Sequence, residues 1–170
     1  MKKIIALVFF VFTFTLSFSQ NAEKQHEANF LFGFARLMEW PQYEENQVVV
    51  HVLGESVVFD YLNYMSINSE VSGRKLIVRQ SNLENAVNCN ILFISEGNSY
   101  LLPEILGQSA NKSVLIVTEK PGLTFQGADV SFSKKINSIG DSSLTYTYNL
   151  NTIKEKDIKV AIEFIGYGKN

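Results

Sequence analysis

The chain has 170 residues, 46% of them hydrophobic and 19% charged, with 15 Lys and Arg against 17 Asp and Glu for a formal charge of −2. That balance gives no electrostatic case for binding nucleic acid, where affinity comes largely from neutralising phosphates. Cys89 is the only cysteine, so a disulfide within the chain is excluded and stability must come from packing.

In chain order, Met1-Lys2-Lys3 is a short basic leader and Ile4 to Phe18 an apolar run. Ser17 and Ser19 put small residues at −3 and −1 of a cut before Gln20, the layout of a secretory signal peptide. The run is shorter than the roughly 20 residues needed to cross a bilayer, so no membrane insertion is expected after cleavage. No Cys near the cut supports a lipid anchor. Removing residues 1–19 leaves 151, and the loss of Lys2 and Lys3 leaves 13 basic against 17 acidic residues, or −4. One domain over 20–170 is expected, since no repeat, low-complexity tract or Pro/Gly linker divides it. A domain of that size buries about 70% of its chain surface.

Phe30, Leu31, Phe34, Leu37 and Met38 share one face of an amphipathic helix running from near Glu23 to Glu39 or Trp40, where Pro41 stops it. Val48–Leu53, Asn90–Ile94 and Ser113–Val117 are near-continuous apolar runs, as expected for parallel strands covered on both faces. Lys75–Arg79 is a fourth, more amphipathic strand. Val57–Met65 and Tyr100–Leu106 read as helices between them, with Pro103 in a first turn. Ala128–Ser133 and Leu144–Asn149 alternate strictly, and Gly140 to Ser143 offers turn chemistry, so they form an antiparallel pair at the sheet edge. Ile158 to Ile165 fits a helix face and a strand face equally well. The fold class is α/β: a mixed, mostly parallel sheet with helices on both faces and an antiparallel edge pair.

Enzyme chemistry has little to stand on. His51 lies inside a buried strand and reads as a hydrogen-bonded core histidine, and His26 sits near the start of the processed chain. The zinc spacings, Gly-x-Ser-x-Gly, the phosphate loop and the dinucleotide fingerprint are all absent, so no catalytic residue, metal or cofactor is assigned. Cys89 reads as a small buried hydrophobe.

One recurrence stands out. Each of the three buried strands runs into a polar segment with an early glutamate: Glu55 before Ser56, Glu96 after Ser95, and Glu119 after Thr118. Parallel strands would place these segments at one carboxyl edge, where open α/β sheets bind ligands and where Glu55, Ser56, Glu96 and Glu119 could hold a cation or an amine. The structural reading is helix starts: glutamate there gains about 0.3–1 kcal/mol from the dipole, and Ser56 is an ordinary cap.

Phe30-Leu31-Phe32-Gly33-Phe34-Ala35-Arg36-Leu37-Met38-Glu39-Trp40-Pro41 after a signal peptide resembles the opening of YfiR-like periplasmic proteins. The likeness continues through Val52-Leu53-Gly54-Glu55, Gly73-Arg74-Lys75-Leu76, Cys89 to Ile94, Val114 to Thr118, Gly127 to Phe132 and Asn149-Leu150. The resemblance implies a small periplasmic α/β protein, often dimeric, that restrains a membrane diguanylate cyclase and hence cyclic di-GMP output. It favours a helix around Ile158 to Ile165. Two departures matter: the prototype relies on cysteine pairs where this chain has only Cys89, and the tail from Gly166 matches no family pattern.

Two functional readings follow. The first is a non-catalytic periplasmic regulator that binds a membrane cyclase or histidine kinase, with Phe32 and Tyr43 as the candidate contact residues. The second is a binding module for a small molecule or cation, with its site at the carboxyl edge of the sheet.

Overall fold

A computed structural model describes residues 21–41, 46–136 and 142–168. The signal peptide and Tyr43 therefore lie outside the described residues, as does most of the turn before Ser142.

The first helix, α1, covers residues 21–37 and buries Leu31, Phe34 and Ala35, as its apolar stripe demands. It stops earlier than Trp40: β1 (Met38–Glu39) pairs antiparallel with β8 (Lys159–Val160), Met38 opposite Val160. The helix end is satisfied from outside. Arg74 Nη2 donates to Ala35 O at 2.9 Å and Met38 O at 3.3 Å, and Ala161 N donates to Leu37 O at 2.9 Å. These contacts supply the partners that the last carbonyls of any helix lack.

Next come β2 (Gln47–Leu53), α2 (Val57–Asn68) and β3 (Lys75–Ser81), followed by β4 (Ile91–Ile94), α3 (Leu102–Gln108) and β5 (Leu115–Thr118). The chain ends through β6 (Val130–Ile136), β7 (Ser142–Tyr148), α4 (Leu150–Glu155), β8 and α5 (Ile162–Tyr167). The main sheet runs in the order β3-β2-β4-β5-β6-β7. All neighbours are parallel except β6 and β7, which form the expected antiparallel edge pair.

Two cores cover the two faces. Val48, Val50, Val52, Ile91 and Phe93 face α1, α2 and α5, whereas Leu92, Ile94 and Ile116 face α3. On the larger side the aromatic rings converge: Phe34 meets Tyr146 at 5.0 Å and Phe164 at 5.2 Å, both edge-on. Such edge-to-face pairs each contribute about 0.5–1.5 kcal/mol beyond area burial. Tyr146 Oη also donates to Phe164 O at 2.6 Å, so the polar tip of a buried ring holds α5 in place.

The C-terminus differs from the expected helix over Ile158 to Ile165. Ile158 is buried, Lys159–Val160 is strand, and the helix begins only at Ile162. The sequence also concealed α4, six residues long and capped by Asn149 Oδ1, which accepts from Asn151 N at 3.1 Å and Thr152 N at 3.4 Å. Six residues carry too little periodicity to declare a helix.

Candidate functional site

The parallel strands β2, β4 and β5 end at one edge, and the order reverses between β2 and β4. In open α/β sheets that reversal opens a crevice for ligands. Here the protein fills it. Gly54 follows β2 with φ +91°, and a Cβ there would lie 1.9 Å from Asn98 Nδ2 and 2.3 Å from Ser95 Oγ. Asn98 Nδ2 in turn donates to Ser95 Oγ at 2.9 Å, and Ser95 N donates to Leu53 O at 3.1 Å. Only glycine fits that approach, because it lacks a Cβ and adopts positive φ without strain.

The four polar residues expected at this edge separate in role. Ser56 is the N-cap of α2, its Oγ accepting from Val58 N at 3.3 Å, and Glu55 is exposed beside it. Glu96 is exposed, and its backbone N–H donates to the Glu119 carboxylate. Glu119 also accepts from Lys24 Nζ, which reaches over from α1 and lies 3.1 Å from Glu27 Oε1. The structure thus brings Glu119 and Glu96 together and adds Lys24 and Glu27, which no local pattern marks out.

Glu27 is buried, and burial pushes its carboxyl up to about 7, against the pull of Lys24. Burial works against the charge on Lys24, but the hydrogen bond and charge of Glu119, together with Glu27, outweigh it and raise the ammonium above its ordinary range. Glu23, one helical turn before Glu27, pairs with Lys134 of β6 at 2.8 Å. Around these groups lies an open cavity of about 320 Å³, with Phe132 and Leu144 also on its walls. Its chemistry is that of a clamp. Ion pairs tie α1 to the sheet edge, and the amine that Glu119 holds belongs to the protein itself.

Among the described residues no group of three or more His, Cys, Asp or Glu could hold a metal ion. No helix among them is long and apolar enough to cross a membrane. Phe32 is half-buried and packs against the larger core. Bare large apolar side chains lie elsewhere, on α2 (Tyr64, Ile67), on α5 (Ile162, Tyr167) and on the connections after β5 and β4, where Phe125 is 95% exposed and Tyr100 75%. Sequence periodicity could not single out Phe125 and Tyr100, because both fall in short 3-10 turns, Leu123–Gln126 and Glu96–Leu101.

Cys89 is buried and its Sγ lies 3.2 Å from Ala86 O; burial pushes the thiol up, away from the reactive thiolate. No curated protein matches the chain. Residues 24–163, from the Lys24 clamp to the start of α5, match the model of the YfiR/HmsC-like family, and the chain belongs to that family.

Proposed function

We propose that the chain is a non-catalytic periplasmic regulator that binds the periplasmic portion of a membrane diguanylate cyclase or sensor kinase and sets its output. The observation that carries this reading is the family match over residues 24–163, since the YfiR/HmsC-like family is one of periplasmic regulators of diguanylate cyclases. On this reading residues 1–19 are a cleaved leader, 20–170 act as one domain, and the regulator works as a homodimer. Phe125, with Tyr100 on the neighbouring connection, is the contact candidate for a partner, because a bare phenylalanine on a loop is an anchor waiting for a pocket. Phe32 and Tyr43 are secondary candidates.

The alternative, a small molecule or cation at the carboxyl edge, has less behind it. Asn98 occupies the space at the strand reversal, and Glu119 is committed to Lys24 and to the Glu96 N–H.

Affinity capture from detergent-solubilised membranes, read by mass spectrometry, tests the regulator. The native protein should retain a membrane cyclase or histidine kinase, and Phe125→Glu should lose it with an unchanged melting temperature. Capture of no membrane signalling protein by the native chain would sink the proposal.

A further inference from the structure

Away from the Lys24 clamp, the β2–β3 side of the sheet carries an unexplained polar cavity of about 620 Å³. Its walls include His51, Arg79, Ser81, Asn82, Asn85 and Asn88. In the parallel register of β2 and β3, His51 lies opposite Arg79 and Leu53 opposite Ser81, so all four occupy one sheet face. Against that face lies the short connection between β3 and β4, which includes the 3-10 turn Leu83–Asn85, and Lys112 Nζ donates to Asn88 Oδ1 at 3.0 Å.

His51 is 4% exposed, and its Nδ1 lies 3.1 Å from both Asn85 O and Ala86 O. Two carbonyls around one ring nitrogen fix its role: Nδ1 carries the proton and donates. In the neutral ring Nε2 is then a bare acceptor. Burial, with Arg79 nearby, lowers the imidazole's pKa and keeps the ring neutral. Nε2 is buried with no hydrogen-bond partner, and so is Ser81 Oγ. A buried polar group without a partner costs about 1–3 kcal/mol. Two of them on one cavity wall is a concentration that a packed core does not explain. Among the described residues, none forms a hydrogen bond or ion pair with the Arg79 guanidinium, which is exposed at the same wall.

We propose that this cavity binds a small hydroxylated anion, with Arg79 taking its carboxylate or phosphate and His51 Nε2 and Ser81 Oγ taking its hydroxyls. The pairing follows from donor and acceptor type. Arg79 offers a forked set of N–H donors suited to a planar or tetrahedral anion. His51 Nε2 needs an O–H donor, and Ser81 can donate or accept. The amide oxygens of Asn82 and Asn88 are taken, by Asn85 N at 3.2 Å and by Lys112 Nζ at 3.0 Å, so these side chains wall the cavity. The cavity is about twenty times the roughly 30 Å³ that one water takes up in the liquid, and falls within the range of about 300–1,000 Å³ typical of ligand sites. Both orphan atoms are shut off from bulk solvent, so the ligand displaces the exposed amide side chains at the wall. The site is independent of the partner surface at Phe125 and of the regulator reading.

The test uses the two histidines of the chain, His26 and His51. Long-range nitrogen–proton correlation spectra of the labelled protein report both rings, and His26→Gln assigns them. Before ligand is added, His51 should show a protonated Nδ1 and a bare Nε2. Millimolar D-glucuronate or D-glucose 6-phosphate should move the His51 Nε2 resonance saturably and leave His26 still; which of the two acts tells carboxylate from phosphate. Arg79→Gln should weaken the response about tenfold, the loss of one charge-assisted contact, and Ser81→Ala severalfold. Neutral D-glucose should bind at least about tenfold more weakly. No movement of His51 with either anion means a water-filled cavity only, and overturns the proposal. An unchanged response in Arg79→Gln, or equal binding of glucose, overturns it as well.

Discussion

Asp129 Oδ2 lies 2.5 Å from Lys156 Nζ and accepts a second hydrogen bond from Ile116 N at 2.7 Å, with the carboxylate wholly buried. Lys156 Nζ also donates to Val114 O at 3.1 Å. The pair pins the end of α4 to the amino ends of β5 and β6. Replacing Lys156 with Met strands a buried carboxylate and should cost roughly 3–5 kcal/mol in urea unfolding. Asp129→Asn combined with Lys156→Met should recover most of that loss. Equal instability of the single and double variants would show that the pair matters only for packing.

Glu27 sets a pH dependence with a definite sign. Its carboxyl titrates at about 7 when folded, against 4.5 ordinarily, so between those values the folded protein holds more protons than the unfolded chain. Raising pH through that window therefore removes stability. His51 acts in the opposite sense: its folded pKa lies below 6.5, and stability is lost as pH falls under that value. Glu27→Gln isolates the first effect. The melting-temperature difference, variant minus native, should rise in favour of the variant from pH 5 to pH 8, and parallel curves would refute the assignment.

Cys89 should be inert while the protein is folded. A buried thiol held up in its neutral form offers no thiolate, so a disulfide-exchange reagent should label it only after denaturation. Stoichiometric labelling of the native protein within minutes would contradict the burial.

Gly54→Ala should destabilise the carboxyl edge twice over, through positive φ and through the clash with Asn98. A loss above about 1 kcal/mol is expected, as for other residues forced into a left-handed backbone. Adding Asn98→Ala should restore the part due to Asn98 and leave the parts due to Ser95 Oγ and to φ. Full recovery in the double variant would show that φ costs nothing here.

The strands and the sheet class were legible because burial on both faces writes itself as unbroken apolar runs, as in Ile91–Ile94. Strict alternation likewise marked β6 and β7 as the antiparallel edge. The ambiguity over Ile158 to Ile165 was physical: the segment holds both a strand and a helix start, and neither is long enough to dominate the pattern. At the candidate site, Glu119 and Glu96 were visible as a repeated strand-end feature. Lys24 was not, because its contact with Glu119 spans 95 residues and no local spacing encodes it. His51 read correctly as a hydrogen-bonded histidine; which ring nitrogen is left over depends on the backbone of Asn85 and Ala86.

The pairing of Met38–Glu39 with Lys159–Val160 joins the exit of the first helix to nearly the last part of the described chain. Phe164 then closes onto Phe34 and Tyr146. A polypeptide that emerges N-terminus first presents α1 long before these late residues appear. The larger core stays incomplete until Phe164 arrives, so a chain that emerges N-terminus first closes it only with its last described segment.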